Sequence, residues 1–447
     1  MLSAADKPNI LFIFADDHAY DTIHALGYDE IQTPNLDRLV KSGMTFTHTY
    51  NQGGYHGAVC VASRTMLNTG RFLWNAQAAE KTLKQNYQEK GRMWSQLLGT
   101  AGYDTYFTGK WHVRADTAEI FTVARNVRGG MPKQTKEGYN RPIEGQPDKW
   151  SPSDPKFGGF WQGGKHWSEV VGDDGVDYIK MASEKDKPFF MYLAFNAPHD
   201  PRQAPQSFVD MYPLDKISLP KPFMAEYPFN IGSNKIRDEK LAPFPRTEYS
   251  VKVNRQEYYA IITHMDQQIG RILDALDASG KADNTYIFFT ADHGLGCGHH
   301  GLLGKQNVFD HSVRVPFMAV GPGIKADTRN SAHIYLQDVM PTSLELAGVE
   351  KPEDVQFTSI LPQLKGAPGG GYPAIYGAYT GTQRMITAEG WKLVLYPKIK
   401  KTLLFNLKND PHEITDLAGN PEHGPRISAM KKTLIELQAA VGDNLAL

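Results

Sequence analysis

Four short apolar runs, each breaking off into residues of ligating or reactive type, constrain what this chain can fold into. Residues 9–14 lead into Asp16 and Asp17, residues 104–108 into Gly109, Lys110 and His112, residues 189–195 into Asn196 and His199, and residues 286–290 into Asp292 and His293. None of the runs alternates strictly between apolar and polar, which is the pattern of strands covered on both faces in a largely parallel sheet. Helical patterns lie between them. Residues 33–43 carry a capping Thr33, Pro34 in the first turn and a terminating Gly43. Residues 255–278 repeat apolar positions at helical spacing, from Ile261 and Met265 to Ile272 and Leu276, and residues 336–346 do so more briefly. Strands alternating with helices predict an open α/β sheet, and such sheets bind ligands beyond the carboxyl ends of their strands. The four polar clusters are therefore expected along one edge.

The chain's 447 residues suit one large domain with a smaller one. A glycine-rich stretch at 366–371 precedes short strand patterns at 375–379, 384–387, 391–396 and 403–406 and a helix over 425–441, which predicts a catalytic domain over 1–365 and an α+β subdomain over 366–447. Residues 125–164 and 213–245 are irregular, rich in Pro, Gly and charge, and read as surface excursions. Lys+Arg number 48 against Asp+Glu 49, so no general basic field favours nucleic acid and any anion binding must be local. No apolar run approaches the roughly 20 residues that span a bilayer. Ser3, Ala4 and Ala5 read as the remnant of a processed export signal, which leads us to expect a periplasmic or secreted protein.

Cys60 is one of two cysteines, the other being Cys297. A lone cysteine is usually a small buried hydrophobe, and two give no disulfide framework. Its company argues for chemistry instead. The adjacent carboxylates Asp16 and Asp17 repel unless a bound cation lies between them, and with Asp292 and His293 they suit a divalent metal. His293 adds an imidazole, a donor more familiar with transition metals. Arg64, Lys110, His112, His199 and Lys305, brought to one edge, form a pocket for a tetrahedral oxyanion, with Arg offering a fork and Lys a point charge. Such a pocket stabilises charge that develops in sulfuryl or phosphoryl transfer.

These residues lie in motifs that carry a family likeness: Asn9-Ile10-Leu11-Phe12 through Asp16-Asp17, Thr33-Pro34-Asn35, Cys60-Val61-Ala62-Ser63-Arg64, Thr69-Gly70-Arg71, Gly109-Lys110, Ala197-Pro198-His199, Ala291-Asp292-His293-Gly294, and Leu404-Phe405-Asn406 through Glu413. The chain resembles the type I, formylglycine-dependent sulfatases of the alkaline-phosphatase superfamily over nearly its whole length. The resemblance implies that Cys60 is oxidised to formylglycine by a formylglycine-generating or anaerobic sulfatase-maturing enzyme. It implies calcium held by Asp16, Asp17, Asp292, His293 and the modified residue 60, with manganese or another transition metal open because of His293. Arg64 would favour the ionised hydroxyl of the hydrated aldehyde, and Lys110, His199 and Lys305 would grip sulfate. His199 would protonate the leaving alcohol and His112 would act as the base that restores the aldehyde.

Two positions depart from the usual pattern. Ala62 stands where proline is common, and His293 where asparagine is common, a histidine shared with one branch of sulfatases and with phosphonate monoester hydrolases. Residues 208–213 and the Asp-His pair resemble the branch that holds uronate 2-sulfatases and many bacterial polysaccharide sulfatases. The expected substrate is thus a sulfated carbohydrate, with His48, Tyr55, His56, Arg71, His166, Trp167, Arg202 and His299 as candidate sugar-binding residues. The alternatives are a phosphonate monoester hydrolase or phosphodiesterase, and a non-catalytic sulfated-glycan-binding protein if Cys60 stays a thiol.

Overall fold

The computed structural model describes residues 7–447, so the reading of Ser3 to Ala5 lies outside the described residues. Fourteen strands are formed, in chain order Asn9–Ala15 (β1), Met44–Tyr50 (β2), Gly53–Gly54 (β3), Asp104–Lys110 (β4), Val123–Arg128 (β5), Phe189–Ala194 (β6), Thr285–Ala291 (β7), Arg314–Val315 (β8), Phe317–Val320 (β9), Thr328–Tyr335 (β10), Ala374–Tyr379 (β11), Gln383–Ala388 (β12), Trp391–Tyr396 (β13) and Lys401–Asn406 (β14). Nine of them form one sheet in the order β10-β2-β9-β7-β1-β6-β4-β5, with β8 paired to β2. The four apolar runs are the neighbouring strands β7, β1, β6 and β4, all parallel. β9 runs antiparallel to both β7 and β2, so the sheet is mixed but mainly parallel.

Register explains why the polar clusters meet. Ala15 pairs with Ala291, so Asp16 and Asp292 leave the sheet side by side. Phe14 pairs with Ala194, and Ala194 with Gly109, which brings Lys110 and the loop after β6 to the same level. Gly109 is required there: at φ +93° it approaches β6 so closely that a Cβ would fall 1.9 Å from the Ala194 carbonyl oxygen.

Aromatic packing fills one face of the sheet. Phe12 lies edge-on to Trp94 at 5.1 Å and to Tyr192 at 4.9 Å between ring centroids. The opposite face is covered by the long helices Trp167–Ser183 and Glu248–Ala278, where Ile272 meets Gly175 and Leu193. The second of these begins earlier than the apolar stripe that marked it, at a capping box formed by Thr247 and Ser250.

A second sheet of five strands, β14-β13-β12-β11-β3, is antiparallel except where β3 joins β11 in parallel, and the helix Gly424–Val441 packs on it. β3 therefore ties the segment just before Cys60 to the smaller sheet. The two irregular stretches are less superficial than their composition suggested. Residues 125–128 continue the edge strand β5, and Ile231, Ser233, Asp238, Glu239 and Leu241 are buried. Arg246 and Asp238 account for this, since ion pairs to Glu239 and Arg237 satisfy the charges that composition assigned to solvent.

Candidate active site

Cys60 occupies the first turn of the helix Val59–Thr69, and Arg64 follows one turn later on the same side. The thiol is 3 % exposed and donates to Asp16 Oδ1 at 3.3 Å and Asp17 Oδ1 at 3.7 Å. Cys297 is also a free, buried thiol, so the two cysteines form no disulfide. Burial, with Asp16 and Asp292, pushes the Cys60 thiol well above its ordinary range. A cysteine nucleophile needs the opposite shift.

Every carboxylate at the strand ends is matched by a cation. Arg64 Nε donates to Asp292 Oδ2 at 2.9 Å, Lys110 pairs with Asp16 Oδ2, and Lys305 with Asp17 Oδ2. Asp17 also donates its backbone N–H to Asp292 Oδ1 at 3.1 Å. Burial and the neighbouring Asp16 and Asp292 raise the Asp17 carboxyl to about 6, against the pull of Lys305 and His199. Burial alone would lower the Lys110 ammonium, but Asp16, Cys60 and Asp292 together outweigh it and hold the group above its usual range. Asp17 and His112 adopt φ of +68° and +56°, the left-handed region uncommon outside glycine and often found at functional sites.

His199 lies 3.5 Å from Asp17 Oδ2 through Nε2, and its Nδ1 lies 3.0 Å from Asp200 Oδ1. Asp200 is in turn paired with Arg237. Burial and Lys305 lower the His199 imidazole, yet Asp17, Asp200 and Asp16 prevail and raise it above the ordinary histidine value. His112 is the reverse: burial, Lys110 and Arg64 hold it down to about 3, a neutral ring at working pH. A cavity of about 290 Å³ opens over this group, lined by Cys60, His112, His199, Arg237, Lys305 and Gln306 among others.

A divalent metal fits the donor set. One ligand atom each from Asp16, Asp17, Cys60 and His199 lies within 4.8 Å of the others, and Asp292 is linked directly to Asp17. His293 stands slightly apart: its Nε2 is 3.3 Å from Asn51 Nδ2, while its buried Nδ1 has no partner among the described residues. Oxygen-rich donors of this kind suit a hard cation.

The expected sugar-binding residues scatter. His56 lines a cavity shared with His112 and with Val61, the residue after Cys60, and Tyr55 stands behind it with its hydroxyl 2.6 Å from Glu80. His299 pairs with Asp21 at 3.2 Å and lines a different cavity. His166 caps the helix Trp167–Ser183, Trp167 donates to the Gln162 carbonyl, Arg71 pairs with Asp354, Arg202 with Asn254, and His48 packs on His333. Asn51, Asp200 and Arg237 belong to the site and were missed. Asn51 donates to the Asp292 carbonyl and holds that corner. The available signal was position and pattern: Asp200 directly follows the Ala197-Pro198-His199 motif, and Asn51 directly follows a strand, Met44–Tyr50, whose every second residue up to Thr49 is a threonine.

The family model described as Sulfatase matches residues 8–349. The chain belongs to the sulfatase family. It is a sulfuric ester hydrolase by that membership, and residues 298–440 further match a model described as N-sulphoglucosamine sulphohydrolase, C-terminal. It is 27% identical to an arylsulfatase of Clostridium perfringens, over 96% of this chain and 94% of that protein. It is 26% identical to an N-acetylglucosamine-6-O-sulfatase of Bacteroides thetaiotaomicron, over 98% and 87% of the two chains. The phosphonate monoester hydrolase of Agrobacterium radiobacter shares the fold with a TM-score of 0.76 at 20% identity, over 97% of this chain and 96% of that one.

Proposed function

We propose that this sulfatase removes sulfate from a sulfated carbohydrate, an oligosaccharide or polysaccharide, with residue 60 carried as formylglycine. One observation carries the reading: Arg64, Lys110, His199 and Lys305 surround Cys60 together with three buried carboxylates, in a chain similar to an N-acetylglucosamine-6-O-sulfatase. We further propose a periplasmic or secreted location, placement near the uronate 2-sulfatase branch, and division of the chain at 365/366. No helix of the described residues is long and apolar enough to cross a membrane.

Asp16, Asp17, Asp292 and His293, with residue 60, would hold the metal, which we take to be calcium from its carboxylates; His293 is the donor that favours manganese or another transition metal. When bound, that cation neutralises the carboxylates and favours the ionised form of the hydroxyl carried at position 60. The chain's own groups do the rest. Lys110 and Lys305 present ammonium charge to sulfate oxygens, and Arg64 adds a guanidinium whose Nη2, 3.9 Å from Asp16 Oδ1, makes no hydrogen bond among the described residues. His199, steadied by Asp200, protonates the leaving alcohol oxygen, and the neutral His112 takes up a proton as sulfate departs. Ala62, Ser63 and Arg64 are fully buried beside Cys60, so the maturing enzyme would read this segment before the chain folds.

A second reading, hydrolysis of phosphonate monoesters or phosphodiesters, rests on His293. A non-catalytic glycan-binding role applies to protein that keeps the thiol. Mass spectrometry of the peptide bearing residue 60, from a host with maturation machinery, is expected to show the aldehyde; an intact thiol would undermine the enzymatic reading. Rates on aryl sulfate against phosphonate and phosphodiester esters, in calcium and in manganese, are expected to favour sulfate, and a preference for phosphorus esters reverses the order of the two readings.

A further inference from the structure

His112 lines two cavities. The first lies over Cys60; the second, about 500 Å³, is lined by His56, Val61, Glu80, Val127 and Arg128 as well. Val61 is the residue after Cys60, and Arg128 is the register partner of Lys110 on the neighbouring strand, so the second cleft borders the reacting centre.

Its charges do not cancel. Glu80 is engaged by the Tyr55 hydroxyl at 2.6 Å and by Arg114 Nε at 2.8 Å, which pairs off one cation and one anion. Burial lowers His56 below the ordinary histidine value. Arg128 is left over: its guanidinium stacks on Trp167 at 4.0 Å, its buried Nε has no partner, and it makes no ion pair among the described residues. Asp174, the carboxylate that acts on it, is already held by Thr108 and by Asn126 at 2.8 Å. A half-buried guanidinium that touches no carboxylate has given up hydration for only the more distant field of Asp174, and its planar fork matches carboxylate and sulfate oxygens. Beside it Val61, Val113 and Val127 supply an apolar wall, Val127 being 43 % exposed.

We propose that this cleft takes the neighbouring sugar unit of the same glycan and that Arg128 binds an oxyanion carried on that unit, a carboxylate or a second sulfate. This rests on the reading that the substrate is a sulfated carbohydrate, and it makes that carbohydrate polyanionic. The test is calorimetric binding in calcium to full-length protein carrying Cys60→Ala, which cannot turn over. The probes are disaccharides of N-acetylglucosamine 6-sulfate linked to galactose, to glucuronate, or to a sulfated galactose.

At least one disaccharide with a second anionic group is expected to bind tenfold or more tightly than the galactose form, and which one does so separates carboxylate from sulfate. Arg128→Gln should shrink that preference below twofold, and Arg128→Lys should restore part of it. Val127→Glu, a change at an exposed rim position, should abolish the preference without disturbing the core. Equal binding of the galactose form and of the forms with a second anionic group, or an equal loss on all probes in Arg128→Gln, overturns the proposal. Turnover by matured enzyme of the same probes and of a panel of sulfated oligosaccharides that includes 2-sulfated uronates tests the functional reading separately: failure to release sulfate from all of them defeats that reading, and the binding ratios still decide this one.

Discussion

Arg64 and Asp292 are both fully buried and joined by a 2.9 Å bond from Nε to Oδ2, while Arg64 Nη1 donates to the Lys110 carbonyl at 2.7 Å. One guanidinium thus fixes the ends of two strands that lie far apart in sequence. Truncation in Arg64→Ala leaves Asp292 charged, buried and short of its partner, a change that costs about 3–5 kcal/mol in comparable buried pairs. Chemical denaturation should show that loss. Arg64→Lys should recover only part, since an ammonium cannot span both acceptors in the same plane; full recovery would show that charge alone matters here.

His112 has a neighbour that limits where its ring can sit. A Cβ added at Gly130 would lie 3.0 Å from His112 Cε1 and 3.1 Å from Nε2. Gly130→Ala therefore displaces the ring by a few tenths of an ångström, and misplacement on the ångström scale costs up to about a hundredfold in rate. We expect kcat on a sulfated sugar to drop roughly tenfold, with KM and thermal stability little changed. An unaltered kcat would remove His112 from the proton-transfer role.

The strands that carry the site were legible because β1, β4, β6 and β7 are buried on both faces, so their sequences are apolar without alternation. The site residues follow those strands at once, and register then brings Asp16 beside Asp292. What sequence did not disclose were features fixed by long-range pairing. β2 carries alternating polar residues and was missed, and with it Asn51. Arg237 sits in a charged stretch that resembles surface until Asp200 is seen to face it. The sugar-binding candidates failed to gather for the same reason: proximity to a motif in sequence does not fix which wall of a cavity a side chain joins, and Arg128, next to Lys110 in the sheet, is 18 positions away in the chain.

Away from the active site, Lys392 lies between two carboxylates, 2.8 Å from Asp310 Oδ1 and 2.7 Å from Glu413 Oε1, and joins the smaller sheet to the larger unit. Burial, helped by Asp310 and opposed by Lys392, pushes the Glu413 carboxyl up to about 7. Its folded value exceeds the unfolded value of about 4.3, so the stability it contributes is complete below the unfolded value and fades as pH rises through 7. Glu413→Gln removes this slope. Relative to the parent, the variant should gain stability between pH 5 and pH 8, by on the order of 1–3 kcal/mol at roughly 1.4 kcal/mol per pK unit. Melting temperatures across that range provide the check, and a constant offset would mean that Glu413 stays ionised throughout.

Asp200 gives the sharpest test of His199 as the group that protonates the leaving oxygen. It contacts the Nδ1 side of the ring at 3.0 Å and is itself braced by Arg237, so it both orients the imidazole and favours its charged form. In Asp200→Asn the ring keeps the Asp200 carbonyl oxygen 2.8 Å from Nδ1 but loses the carboxylate charge that favours its protonated form, while Cys60, Lys110 and Lys305 keep their partners. A general acid matters in proportion to the basicity of what leaves. An alkoxide from a sugar needs the proton; 4-nitrophenolate leaves readily without it. We expect kcat on a sulfated sugar to fall about 10- to 100-fold, within the range general acid catalysis supplies, while hydrolysis of 4-nitrophenyl sulfate falls far less. Equal losses on both substrates would instead assign the Asp200–His199 pair to sulfate or metal binding, because such a defect ignores the leaving group.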